Sequence, residues 1–210
     1  VSCLYFNLFT LILGLLWIIT PYIMCKISEI NEEKQIEISE DDKKYLKDIA
    51  QKTWQFFKDY ITEENNYLMP DNYQEDRIPK VVYRTSPTNI GLGLLAVISS
   101  YDLKYENLQD TLNLLEKMLE TISKLDKWNG HLYNWYNIEN LKPLVPKYVS
   151  TVDSGNFVGY LYTLKQFLEE IKVDNVEKGT QKEDEIVDKI KMMIDTINNL
   201  IENTDFSKLY

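Results

Sequence analysis

Histidine occurs once in this chain of 210 residues, at position 131, and cysteine twice, at positions 3 and 25. A tetrahedral structural zinc site draws its ligands from His and Cys, and His131 has no second His or Cys near it, so no metal is expected. Cys3 and Cys25 lie far apart along one apolar stretch and should not pair, which leaves the rest of the chain free of cysteine and fits a reducing compartment. Seven Gly and six Pro are too few for a linker-rich or disordered protein. Basic residues are outnumbered, 23 Lys+Arg against 33 Asp+Glu, and the lysines are scattered. A nucleic-acid surface needs a basic stripe, so no nucleic-acid partner is expected. There is no G-x-S-x-G elbow for a serine nucleophile and no glycine loop to cradle a phosphate.

What the chain does have, first, is an apolar N-terminus. Residues 1–25 contain no charged side chain, and at about 1.5 Å per residue a helix of that length crosses the ~30 Å core of a bilayer. A signal peptide fits poorly: the stretch is too long, lacks a basic leading region and has no small-residue cleavage pattern. With Val rather than Met at position 1, the segment reads as the last span of a longer membrane protein. Trp17 and Tyr22 suit an interfacial region, and Pro21 is expected to kink the span near its end. Lys26 follows, but Glu29, Glu32 and Glu33 come soon after, so charge does not fix orientation.

After an acidic linker at about 27–38, Ser39 and Asp42 form a capping-box-like start to a helix ending near 62, with Leu46, Ile49, Thr53, Phe56, Phe57 and Tyr60 on one face. Residues 63–85 break the pattern through Asn65-Asn66, Pro70-Asp71-Asn72 and Pro79. Ser86 caps a helix over 87–101, with Pro87 at its first position and an apolar surface nearly all round. A one-faced helix over about 107–125 follows, then a loop through 126–153 broken by Pro143 and Pro146. Ser154 is expected to open a second buried helix to about 172, and 183–203 is again one-faced. Alternating one-faced and buried helices are what a two-layer α/α toroid needs, because only its inner helices touch protein on both sides. The expected fold is therefore all-α: an N-terminal transmembrane helix, then a partial α/α toroid over 39–210.

Three polar–aromatic blocks interrupt this ordinary helical sequence: Arg84–Leu92, Gly130–Tyr136 and Tyr148–Asn156. The first and third lie just before the two buried helices, so they should converge at one mouth of the toroid. Arg84 offers a planar donor fork for a carboxylate or for sugar hydroxyls, or else a structural salt bridge to Asp71 or Glu75. Thr85, Ser86 and Asn89 suit either helix capping or ligand binding. His131 can hydrogen-bond a sugar hydroxyl or sit as a satisfied structural residue. Trp135 and Tyr136 offer flat faces for a pyranose ring, although core packing explains one of the pair equally well, and Asn134 beside them both donates and accepts. Asp153 is either an N-cap or a carboxylate stabilised by the helix dipole. Glycoside chemistry uses two carboxyl groups, and Asp71, Glu75 and Asp153 are the loop carboxylates available, with no spacing that selects a pair.

The runs L-M-P-D-N-Y-Q-E at 68–75, R-T-S-P-T-N-I-G-L at 84–92, G-H-L-Y-N-W-Y at 130–136 and L-K-P-L-V-P-K-Y-V-S-T-V-D-S-G-N at 141–156 together resemble the cyclic β-1,2-glucan synthases. Trp54-Gln55-Phe56-Phe57 and the terminal Asp205–Tyr210 share the likeness, which covers nearly the whole chain. The resemblance implies a large bacterial membrane enzyme with a glycosyltransferase part that uses UDP-glucose, a middle (α/α)6 glycosidase-like part that cyclises β-1,2-glucan by transglycosylation on the cytoplasmic side, and a phosphorylase-like part. The chain then corresponds to the last span of the first part and the start of the second. The glutamates that the resemblance implies are catalytic lie in M-F-E-Y-L-M-P and W-G-I-S-E-S-A-Y motifs that do not occur in this sequence. It thus implies no catalytic residue and no cofactor here, but a substrate side built from Asp71, Glu75, Arg84, Asn89, His131, Asn134, Trp135, Tyr136 and Asp153. The implied partners are a β-1,2-glucan chain, the lipid bilayer at residues 1–25 and the remaining domains of the parent enzyme. A non-catalytic glucan-binding module and a purely structural helical domain tethered to the membrane are the alternatives.

Overall fold

Six α-helices and three small antiparallel strand pairs make up the described part of the computed structural model, which comprises residues 8–28, 38–76, 80–176 and 181–209. The chain divides into two compact units, Val1–Tyr45 and Leu46–Tyr210.

In the first unit, α1 (Leu8–Ile27) is fully helical through Pro21. Its stretch Phe9–Ile27 is long and apolar enough to cross a membrane by length and composition. The Thr20 hydroxyl donates to the Leu16 carbonyl at 2.7 Å, so it is satisfied within its own helix. Cys25 is exposed and carries a free thiol. Cys3, Pro79 and most of the expected linker lie outside the described residues. The expected cap at Ser39 is present: its hydroxyl accepts from the Asp42 amide at 3.1 Å and donates to the Asp42 carboxylate at 2.6 Å.

Helix α2 (Glu40–Tyr60) turns inward a face that only partly matches the one its periodicity suggests. Leu46, Ile49 and Thr53 of the expected face are exposed, whereas Phe56, Phe57 and Tyr60 are half-buried against the core as expected, and the buried position is Trp54, which lies outside that face. The indole N–H of Trp54 donates to Glu106 at 3.0 Å, and Lys58 pairs with the same carboxylate at 2.6 Å. A buried indole has to find an acceptor, and meeting that requirement sets the rotation of the helix. Burial raises the Glu106 pKa, but the bonds from Lys58 and Trp54 and the charge of Lys58 outweigh it and hold the carboxyl below its ordinary value.

Helices α3 (Pro87–Asp102) and α5 (Thr151–Val176) lie side by side and parallel: Thr88 meets Asp153 at one end, and the Tyr101 and Phe167 rings meet edge to face 5.8 Å apart toward the other. Helices α4 (Leu108–Lys124) and α6 (Gln181–Glu202) form a second parallel pair, joined where Lys189 reaches Glu116 at 2.8 Å. Each member of the second pair packs on its neighbour in the first, α4 on α3 and α6 on α5. These are the inner and outer layers expected from the alternation of helix types. Ile90, Leu94 and Val97 of α3, Leu112, Leu115 and Ile122 of α4, Leu161 and Leu164 of α5, and Ile190 and Ile197 of α6 fill the space between them.

The inner helices differ from expectation in detail: on α3, expected to be apolar and buried nearly all round, Leu92 is exposed. Helix α5 begins three residues before Ser154, because the Ser150 hydroxyl accepts from the Asp153 amide at 3.2 Å and so acts as the cap. This helix is also one-faced rather than buried all round: Val152, Gly155, Gly159 and Tyr162 form an exposed stripe at helical spacing.

The loops that follow the three outer helices gather at the end where α3 and α5 begin. The first (residues 61–86) and second (residues 125–150) are stitched together by β3 (Arg84–Thr85) against β6 (Tyr136–Asn137), in the register Arg84↔Asn137 and Thr85↔Tyr136. The first loop also carries the hairpin of β1 (Asn72–Gln74) and β2 (Lys80–Val82), and the second the hairpin of β4 (Lys127–Trp128) and β5 (His131–Leu132). These strands of two or three residues are too short for an alternating pattern to stand out in sequence.

Parallel contact between α3 and α5 rests on Gly91, where a Cβ would overlap the Tyr160 ring. Gly91→Ala is expected to destabilise the fold by about 1–3 kcal/mol, the usual result of overpacking. Thermal unfolding followed by circular dichroism checks this, and an unchanged midpoint would show that the helices are not in such close contact.

Candidate functional site

At the shared end of α3 and α5, short polar side chains from all three sequence blocks meet. Asp71, on the first loop, is fixed by its own backbone, whose N–H donates to the Arg84 carbonyl at 2.7 Å. Its Oδ2 accepts from Arg84 Nε at 3.1 Å, Arg84 Nη2 at 2.9 Å and Asn72 at 3.0 Å, and its Oδ1 accepts from Asn89 at 3.1 Å. Asn89 stands in the first turn of α3, capped by Ser86, whose hydroxyl accepts from the Asn89 amide at 3.2 Å. Of the two partners considered for Arg84, the structure gives it Asp71. The guanidinium plane also lies over the Trp135 ring, 4.2 Å from its centroid, and so occupies one ring face.

Asn134 joins this group to α5. With its NH2 turned toward Asp153 it donates to Oδ2 at 3.0 Å, and its oxygen accepts from the Trp135 Nε1 and the Tyr148 hydroxyl, both at 2.6 Å. The opposite orientation would point the NH2 at the Trp135 indole N–H, which can only donate, and the oxygen at the Asp153 carboxylate, which can only accept, so the first orientation is the favoured one. The Asp153 Oδ1 accepts from the Thr88 hydroxyl at 2.5 Å, and the backbone N–H of Asn134 donates to the Tyr148 carbonyl at 2.8 Å. A continuous chain of contacts therefore runs from Asp71 through Arg84, Trp135 and Asn134 to Asp153 and Thr88. Sequence reasoning missed Thr88 and Tyr148 as members; a Thr in a first helical turn and a Tyr in a loop carry no signal of their partners.

Glu75 lies apart from this chain, exposed on the β1 side of an open groove of about 630 Å3 between the first loop and α2. Asp71, Tyr73, Phe56, Asp59 and Tyr60 line the same groove. Burial, with Tyr73, Tyr83 and Asp59 nearby, pushes the Tyr60 phenol above its ordinary pKa.

His131 and Tyr136 are placed elsewhere. His131 is buried, with Nε2 3.0 Å from the Asp205 carbonyl and its ring between Trp128 and Phe206, so it pins the second loop to the segment after α6. Gly130 beside it, at φ 80°, lets the backbone pass against the Asn203 carbonyl, where a Cβ would collide. Tyr136 is fully buried; its hydroxyl donates to the Asp126 carbonyl at 2.6 Å and accepts from the Tyr133 amide at 2.8 Å. Burial raises its pKa strongly. Both residues shape the second loop from below. Among the described residues no group of three or more His, Cys, Asp or Glu is placed to hold a metal ion.

Both Asp71 and Asp153 receive hydrogen bonds on each carboxylate oxygen, an arrangement that orients fixed acceptors. Replacing the donor between Asp153 and Trp135 tests it. Asn134→Asp sets a second carboxylate against Asp153 and is expected to cost about 2–3 kcal/mol at pH 7. One carboxyl of the new pair then has a folded-state pKa above its unfolded value, so the folded form binds more protons in that window and stability falls as pH rises through it. The deficit against the parent chain should accordingly shrink as the pH is lowered toward 4. A deficit that is absent, or the same at both pH values, would contradict the Asn134 orientation.

No family model matches the chain. Over 158 residues, 75% of the chain, the sequence is 39% identical to the cyclic beta-(1,2)-glucan synthase NdvB of Rhizobium meliloti (strain 1021), and the chain spans only 6% of that relative's length. Among solved structures, the beta-1,2-glucanase from Parabacteroides distasonis superposes with a TM-score of 0.58 at 17% identity, covering 79% of this chain and 22% of that one. The endo-beta-1,2-glucanase from Chitinophaga pinensis, in complex with sophorotriose and glucose, gives 0.52 at 18% identity, covering 73% and 36%. At these identities the structural likeness is one of fold, the (α/α)6 glycosidase-like arrangement of two helical layers. Over the 158 aligned residues, which reach across the polar end of the helical unit, the chain belongs to the cyclic β-1,2-glucan synthase family.

Proposed function

We propose that this chain is part of a membrane-bound bacterial enzyme that makes β-1,2-glucan from UDP-glucose and closes it into rings, and that it supplies the substrate-side start of the cyclising transglycosylase domain. The observation that carries this reading is the meeting of the three blocks in one network at the shared end of the inner helices. A glucan chain presents hydroxyls that both donate and accept, and flat C–H faces between them. Arg84, Asn89 and Asn134 offer donors, Asp71 and Asp153 offer acceptors, and Trp135 offers an aromatic edge. Glu75, in the adjoining groove, adds a further acceptor.

In this reading the chain orients sugar and does not break bonds. Transglycosylation needs a carboxyl that can give and take a proton opposite a second carboxyl. Asp71 and Asp153 are instead committed to neighbouring donors, and the reacting glutamates belong to other parts of the enzyme. UDP-glucose chemistry belongs to its glycosyltransferase part, so this chain requires no cofactor. Helix α1 serves as the anchor in the bacterial cytoplasmic membrane, with the helical unit on the cytoplasmic side. The stripe of Val152, Gly155, Gly159 and Tyr162 on α5 suits a further inner helix from the remaining domains, since small residues permit close helix approach. The alternative, a structural or non-catalytic domain, draws on the mutual saturation of the network, in which every carboxylate oxygen is already bonded.

Calorimetric titration of the chain in detergent micelles separates these readings. Linear β-1,2-glucooligosaccharide should bind, β-1,4-linked oligosaccharide should not, and Arg84→Ala or Trp135→Ala should weaken binding by about tenfold or more. The chain alone should release no cyclic product. Absence of binding would favour the structural reading, and turnover by the chain alone would contradict the positioning role.

A further inference from the structure

A second groove, of about 310 Å3, lies between the second loop and the segment after α6, lined by Trp128, Tyr133, Lys147, Tyr148, Lys208 and their neighbours. Two large aromatic side chains stand open in it: Trp128 is 41% exposed and Tyr148 50%. Neither is loose. Trp128 sits in β4 beside the ring of His131, which is pinned to the Asp205 carbonyl, and the Tyr148 hydroxyl bonds to Asn134. Lys147 Nζ stands 5.5 Å over the Tyr133 ring, placing a cation at the rim, and Lys208 adds another.

Flat rings held open at a groove wall, with ammonium donors at the edge, fit a ligand that has both an apolar face and peripheral acceptors. A simple anion would use the lysines and leave the rings idle; an apolar ligand would use the rings and leave the lysines without acceptors. A pyranose uses both. Tyr148 gives the groove its connection, because the same side chain that lines it also holds Asn134 of the central network. We infer that this groove is an extension subsite, in which Trp128 and Tyr148 stack on glucosyl units of a chain whose next part lies at the Asp71–Arg84–Asn134–Asp153 network. This rests on the glucan reading above and adds where the chain runs.

The test compares short and long β-1,2-glucooligosaccharides by calorimetry on the full chain in detergent micelles. The parent chain should bind long oligosaccharides more tightly than short ones. Trp128→Ala should lower affinity for long chains by about tenfold while leaving short ones unchanged, and Trp128→Phe should restore most of the loss. A parent chain that binds both lengths with equal affinity, or a Trp128→Ala variant that binds long chains as the parent does, would overturn the subsite while leaving the glucan reading standing. A parent chain that binds neither length would overturn both. If Trp128→Ala does not fold, the exposed pair Lys147→Gln with Lys208→Gln serves instead, and a length-dependent loss of several-fold is expected. Binding of inorganic phosphate that depends on these lysines but is indifferent to Trp128→Phe, without any length dependence for glucan, would identify an anion site and overturn the proposal.

Discussion

Close contact between α3 and α5 is the constraint from which the polar end follows. At Gly91 no side chain stands between the helices, and the Tyr160 ring takes the space. Because the helices run parallel, their first turns come together, and those turns carry Thr88, Asn89 and Asp153. A longer spacing would leave the Thr88 hydroxyl and the Asp153 Oδ1 without each other. The outer helices play a complementary part: each ends beside the start of an inner helix, so each outer-to-inner loop is delivered to the same place.

Within that frame the loops are held by a few specific bonds. The first and second loops share the β3–β6 pair and the Arg84–Trp135 stack, and the second loop is tied to the last segment by His131 and by the Asp205 amide, which donates to the Asn129 carbonyl at 3.2 Å. Arg84 and Asn134 are the hubs, each touching more than one block. A fixed array of donors and acceptors loses little entropy when it meets a ligand, which is consistent with the proposed role of this end.

The helical layout was legible because long apolar periodicities survive any local rule: the cores of α3, α4 and α6 fall where spacing puts them, as do the caps at Ser39 and Ser86. The convergence of the first and third blocks was legible from their shared position before inner helices. The inward face of α2 was legible only in part: Phe56, Phe57 and Tyr60 pack where spacing puts them, but the buried Trp54 is set by Glu106, a partner 52 residues away. The same limit applies to His131 and Tyr136. As residue types they suit a sugar site equally well, and only their burial and their bonds to Asp205 and Asp126 place them beneath the second loop. The start of α5 moved to Thr151 because Ser150 and Ser154 are both good caps, and sequence offers no way to rank them.

Amide hydrogen exchange with and without β-1,2-glucooligosaccharide puts the polar end to the most direct trial. Ligand should slow exchange across residues 68–75, 84–89, 133–136 and 148–156 together, since one bound chain would quiet every loop that the network joins. Protection confined to another surface, or none at saturating ligand, would contradict the assignment of this end as the glucan site.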